Sequence, residues 1–225
     1  MNCVYGDELL VQEDAVKQLG VHLDKGISFE KHIITELLKS GNQKLHGLMR
    51  VAKYLTEDKL KLTMCTFIES LFNYCPLVWM CHSRILENKI NKLHERALRV
   101  VYKNKELAFE QLLEKSKHFS IHERNLQKLA LEMYKVKNEL SPAPVCEIFT
   151  TDPSERKDFI LPRVRTVKYG LETIRYRGPK TWGLVPEEIK MSTSLLEFQH
   201  KIKQWKPLGC TCRLCKVFIR NVGYL

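Results

Sequence analysis

Residues 60–102 read LKLTMCTFIESLFNYCPLVWMCHSRILENKINKLHERALRVVY, and the rest of the chain is arranged around them. The run divides at Asn73-Tyr74-Cys75-Pro76 into two helix-length segments. In the second, Leu86, Ile90, Leu93, Ala97 and Val100 recur at spacings of four and three, which places them on one helical face. Lys89, Lys92, Arg96, Arg99 and Lys103 recur at three, four, three and four, a stripe about 100° further round the same helix. The apolar face predicts packing, and the basic face predicts contact with negative charge.

Working upstream, Thr56 followed by Glu57 and Asp58 has the cap and the acids of a helix start, with Leu60, Met64, Phe67, Ile68 and Leu71 facing inward. Pro76 has no N–H and disfavours helical angles at Cys75, so it predicts a kink or turn that returns Trp79 to the core. Ser83 is the expected cap of the basic helix. Ser28 is the expected cap of an earlier helix reaching about Ala52, with Phe29, Ile33, Leu37, Leu45, Leu48 and Val51 inward and Gly41 a point of interruption. Before it, Glu8 to Val11 and Val16 to Asp24 are short strand-like runs between turn-prone Gly6-Asp7 and Lys25-Gly26, which predicts a small hairpin.

Downstream, Glu106 to Lys115 and His122 to Leu140 read as two more helices. Ser141-Pro142-Ala143-Pro144 ends them and marks a boundary near residue 142. The following segment is rich in Arg, Tyr, Gly and Pro. Arg163 and Arg165 share a strand face by period two, as do Arg175 and Arg177, with Tyr169 and Tyr176 interleaved. Such a face suits phosphate contact with base stacking, and a solvated strand pair has the same pattern. Ser194 to Trp205 reads as a short helix.

The tail carries Cys210, Cys212 and Cys215 within six residues. Three thiolates at that spacing can reach one tetrahedral zinc, which takes four ligands in a structural site. His200 is the nearest candidate for the fourth, and free thiols in a frayed tail are the alternative. Cys3, Cys65, Cys75, Cys81 and Cys146 are scattered through apolar surroundings and read as small buried thiols.

At 225 residues and 44% hydrophobic content the chain is long enough to bury a sizeable core. Its net charge of +11 is uneven: residues 1–30 hold six acids against Lys17 and Lys25, a balance of −4, so the remainder carries +15. That excess favours nucleic acid or another anionic surface, since neutralised phosphates release counterions. No apolar run approaches the roughly 20 residues of a membrane span, and the first residues lack a secretory pattern. An intracellular location is expected, with nucleus and cytoplasm both open and no membrane partner.

Val16-Lys17-Gln18-Leu19-Gly20-Val21-His22-Leu23-Asp24 and Ile27-Ser28-Phe29-Glu30-Lys31-His32-Ile33 resemble the segment that follows the catalytic palm in LINE-type, non-LTR, jockey-like retrotransposon reverse transcriptases. The resemblance continues through Phe67-Ile68-Glu69-Ser70, Tyr74-Cys75-Pro76-Leu77-Val78-Trp79, Leu93-His94-Glu95-Arg96-Ala97-Leu98-Arg99-Val100-Val101 and Glu123-Arg124. It extends to Leu140-Ser141-Pro142, Arg175 to Trp182, Leu184-Val185-Pro186 and Ser194 to Phe198. The order of these words covers nearly the whole chain, although none is specific by itself.

The resemblance implies a thumb and post-thumb region that grips a template–primer duplex. In the family the palm carboxylates lie upstream of the Leu-Gly-Val strand, where this sequence has fifteen residues before Val16, so no catalytic position carries over. The expected fold is mainly α: an N-terminal β-hairpin left from the palm or connection (1–27), a thumb-like bundle of about five helices (28–141), a small basic α+β or irregular region (142–205) and a Cys-rich tail (206–225). The expected function is non-enzymatic binding of RNA, or of an RNA–DNA or DNA duplex, through Lys89, Lys92, Arg96, Arg99 and Lys103 with Arg163, Arg165, Arg175 and Arg177. The chain would work beside an upstream palm or with a second copy of itself. A helical interaction or dimerisation module, its basic surface incidental, is the other reading.

Overall fold

The computed structural model describes residues 3–5, 8–10, 13–151, 158–208, 210 and 214. The fold is mainly α behind an N-terminal antiparallel hairpin, as expected. Two two-stranded ladders come first, β1 (Cys3–Tyr5) with β2 (Glu8–Leu10) and β3 (Ala15–Gln18) with β4 (Val21–Asp24). The run Val16 to Asp24 is therefore a hairpin in itself rather than one strand. Leu19 and Gly20 both take positive φ, 46° and 80°, which is what a two-residue hairpin turn requires.

The hairpin is tied to the helices at its turn and along one edge. The Tyr74 hydroxyl donates to the Leu19 carbonyl, and Glu36 accepts from Lys17 at 2.7 Å and contacts His22 at 3.0 Å. Asp24 and Ser28 together organise the start of the first helix: Ser28 Oγ accepts from the Glu30 N–H at 3.3 Å, and the Asp24 carboxylate accepts from the backbone of Gly26, Ser28 and Phe29 at 3.1, 2.9 and 2.6 Å. Burial pushes the Asp24 carboxyl up, but these hydrogen bonds outweigh it and leave it below the usual carboxylate value.

The first helix runs as α1 (Glu30–His32), a π-helical segment Ile33–Lys39 and α2 (Ser40–Val51) without a break at Gly41. Gly41 is needed for packing: a Cβ there would lie 2.5 Å from Leu93 Cδ2. Next come α3 (Glu57–Met64), a second π-helical segment Cys65–Glu69 and α4 (Ser70–Asn73). The extra residue in that π turn shifts the helical phase, so Ile68 and Phe72 point inward while Phe67, expected inside, is 58% exposed.

Pro76 opens α5 (Pro76–Trp79) after Cys75 takes a left-handed turn at φ 42°. Trp79 is fully buried and donates to the Tyr74 carbonyl at 3.0 Å. α6 (Arg84–Tyr102) follows, capped by Ser83 as expected. Its 19 residues span about 28 Å. α7 (Phe109–Ser116) and α8 (Ile121–Lys137) complete the first part, α8 beginning in a reciprocal box between Ser120 and Glu123.

α9 (Ala143–Cys146) follows the prolines, and a third π-helical segment (Val167–Leu171) precedes α10 (Ile174–Trp182), α11 (Glu187–Lys190) and α12 (Leu195–Gln204). The C-terminal region is more helical than its period-two pattern predicts: among the described residues the β structure there is one isolated bridge, Thr151 to Phe159. One core gathers residues from Val21 to Ile121 around α6. A second gathers Met133, Tyr134, Phe149, Phe159, Trp182, Phe198 and Trp205, with α8 packed between α10 and α12.

Candidate nucleic-acid interface

α6 separates its two faces as its spacing predicts. Leu86, Ile90, Leu93 and Ala97 are buried, joined by Leu98, Val101 and Tyr102 where α3 and α7 pack on the same helix. Burying such side chains contributes about 1.5–3 kcal/mol each, which fixes the helix axis and therefore the direction of the stripe about 100° round it. There Lys89, Lys92 and Arg96 are exposed, as is Lys103, which caps the helix in a left-handed conformation.

The two acids of α6 do not cancel this stripe as free charges. Glu87 is buried, 2.8 Å from His82 Nε2 and accepting from Asn91 at 3.1 Å. Burial works against its carboxylate, but the His82 contact prevails and holds its pKa low. Glu95 is taken up by Arg99, whose Nη2 and Nε donate to it at 2.7 and 3.3 Å while Nη1 donates to the Lys105 carbonyl. Arg99 is thus engaged within the protein. Arg96 meets a neutral partner, Asn42 Oδ1 at 3.0 Å, so its charge is uncompensated.

The Asn42 contact brings in α2, which the sequence reading did not assign to the site. At helical steps from Asn42 stand Lys39, His46 and Arg50, all exposed. From Leu37 to Thr56 the chain contains no acid at all, and that run was the available signal.

The second arginine group is divided. Arg163 and Arg165 are exposed in an irregular stretch, 161–166. Arg175 and Arg177 lie in α10, not on a strand, so two residues of separation turn them roughly 200° apart rather than onto one face. Arg175 is exposed and shares with Arg163 a cavity of 310 Å³ backed by Ile148, Phe149 and Ile160. Arg177 is only 5% exposed and paired with Glu172. Gly178 lets the helix lie close against the core: a Cβ there would sit 2.6 Å from Met133 Sδ and 2.7 Å from Phe149. Tyr169 is exposed, whereas the Tyr176 ring lies under the Lys180 ammonium at 5.7 Å.

Of the expected zinc ligands, His200 is exposed on α12 and Cys210 is buried in a cluster with Met80, Leu126 and Leu129. Cys212 and Cys215 lie outside the described residues. Of the cysteines expected to be buried, Cys75 is exposed and Cys65, Cys81 and Cys146 are half-buried, Cys65 beside charged groups.

Those groups converge on Glu69, a residue that no local pattern marks. It is 5% exposed, with His118 Nδ1 at 3.0 Å and His94 Nε2 at 3.3 Å from Oε1, and Arg124 donating to Oε2 at 2.8 Å. Burial raises its carboxyl, but the contacts from His118 and His94 and the Arg124 charge outweigh that and hold it far below the carboxylate range. For His94, burial dominates and lowers its pKa, against the opposing pull of Glu69.

No helix among the described residues is long and apolar enough to cross a membrane. No protein-family model, curated protein or solved structure matches the chain.

Proposed function

We propose that this chain is a non-catalytic nucleic-acid-binding region similar to the thumb and post-thumb part of a LINE-type, non-LTR retrotransposon RNA-directed DNA polymerase. It would hold the backbone of a template–primer duplex against α6. The observation that carries the reading is the exposed set Lys89, Lys92, Arg96 and Lys103, anchored by the packed face beside it and without an ion pair to any described acid.

Phosphate contacts of this kind position a duplex without reading its sequence, which is what a polymerase thumb requires. Lys39 and Arg50 would widen the contact, and Arg163 with Arg175 would take a further phosphate. Arg177 has no part in it, and the proposal assigns no catalytic residue. The test is charge reversal: Lys89→Glu, Lys92→Glu and Arg96→Glu together, with affinity for an RNA–DNA duplex measured by anisotropy. Loss of binding with intact helicity supports the reading, and unchanged affinity removes it.

A different observation favours the interaction-module reading. Ile27, Val78, Val167 and Tyr169 are exposed around one largely apolar cavity of 720 Å³ that also reaches Leu77, Leu86 and Ile174. Sedimentation separates the two, since dimerisation through this surface is lost in Val78→Glu and indifferent to the α6 reversals.

A further inference from the structure

The Glu69 node has the composition and spacing of a metal site, and this does not rest on the nucleic-acid reading. Cys65 Sγ, a Glu69 carboxylate oxygen and a His118 ring nitrogen lie within 4.8 Å of one another. Zinc binds nitrogen and oxygen at about 2.0–2.1 Å and sulfur at about 2.3 Å, so tetrahedral ligands stand roughly 3.3–3.6 Å apart. The Glu69 Oε1 contacts to His118 Nδ1 at 3.0 Å and His94 Nε2 at 3.3 Å are close to that edge length. Cys65, Glu69 and His118, within 4.8 Å of one another, come to that edge length with side-chain adjustments on the order of 1 Å.

A second observation points to a missing partner. His94 is fully buried beside the cluster: its Nε2 lies 3.3 Å from Glu69 Oε1 without a well-directed hydrogen bond, and its Nδ1 has no hydrogen bond among the described residues. A buried imidazole left in that condition is costly, and a water held on the ion would give it a partner. Arg124 meanwhile holds Oε2, fixing the carboxylate so that Oε1 faces both histidines, the outer contact that oriented metal ligands commonly have. Cys65 and Glu69 bound one π-helical segment, a backbone form frequent at functional sites.

We infer that Cys65, Glu69 and His118 form a three-ligand site for a divalent zinc-like ion, with water in the fourth tetrahedral position beside His94. Thiolate and carboxylate neutralise the two positive charges, with His118 neutral, and the Cys65 proton passes to water on coordination. The mixed sulfur, nitrogen and oxygen set selects zinc over magnesium or calcium, which prefer all-oxygen shells. Half-buried Cys65 and His118 leave the ion a route from solvent. Bound there, it would join the π-helical segment Cys65–Glu69 to the segment between α7 and α8 at one point.

The test uses the full chain with Cys210, Cys212 and Cys215 all changed to Ser, so that the tail cannot supply the signal. Purified from zinc-containing medium, it should retain one equivalent of zinc, and Cys65→Ser or His118→Ala in that background should lower retention about tenfold or more. Cobalt added to the metal-stripped chain should give the intense absorption of a tetrahedral ion and a thiolate charge-transfer band that Cys65→Ser abolishes. Absence of zinc together with an octahedral cobalt spectrum would overturn the site, as would retention indifferent to Cys65. The cobalt spectrum needs no variant at the node, so misfolding of a variant cannot hide either result.

Discussion

α6 and α10 both carry arginines that the sequence marks as candidates for phosphate contact, and the structure treats them in opposite ways. Along α6, Lys89, Lys92 and Arg96, with Lys103 just past its end, stay outside because the residues between them fill a core. In α10, Arg177 turns inward to Glu172 while Arg175, two residues away, faces out. Basic side chains are free to bind only when the element's other contacts already satisfy its packing. A long helix with a continuous apolar stripe meets that condition along its length, and a short helix pressed onto the core at Gly178 meets it at single positions.

The sharpest way to break this contrast is Arg177→Ala. It leaves the Glu172 carboxylate without its buried partner and should cost about 3 kcal/mol in urea denaturation. Duplex affinity per folded molecule should be unchanged. The triple reversal Lys89→Glu, Lys92→Glu and Arg96→Glu should do the converse, weakening duplex binding about a hundredfold at low salt while leaving the urea midpoint in place.

Gly178→Ala probes why α10 sits where it does. The added methyl meets Met133 and Phe149, and a loss of about 2 kcal/mol is expected from overpacking, again without effect on binding. A pH dependence is expected at Lys128, whose ammonium donates to Asn73 Oδ1 at 2.8 Å. Burial, with the Arg124 charge adding to it, lowers its pKa from 10.5 to about 8. Between those values the unfolded chain holds the extra proton, so stability should rise with pH across that window. The penalty is full below the lower value, and the slope should vanish in Lys128→Met.

Both faces of α6, its Ser83 cap and the burial of Trp79 were legible in the sequence, because each depends on residues within a few positions of one another. Gly41 misled for the same reason: its helical cost is local, whereas its use, the approach of Leu93, comes from 52 positions away. Phe67 pointed inward only on a regular helical phase, which the π turn Cys65–Glu69 interrupts. Arg175 and Arg177 were placed on a strand face because alternation over three residues cannot separate strand from helix.

The Glu69 node was out of reach altogether. Its members come from three separated stretches, 65–69, 94 and 118–124, and no spacing rule joins them. Phe67-Ile68-Glu69-Ser70, Leu93-His94-Glu95-Arg96 and Glu123-Arg124 meet there and supply the acid, the buried histidine and the arginine.

The most direct measurement is the salt dependence of duplex binding. With Lys89, Lys92, Arg96 and Lys103 each neutralising a phosphate, log K against log salt should fall with a slope of roughly −3 to −4. The slope should become shallower by about one for each α6 lysine replaced by Gln. Binding that does not vary between low and moderate salt, or a slope that survives loss of all four cations, would contradict the assignment of α6 as the interface.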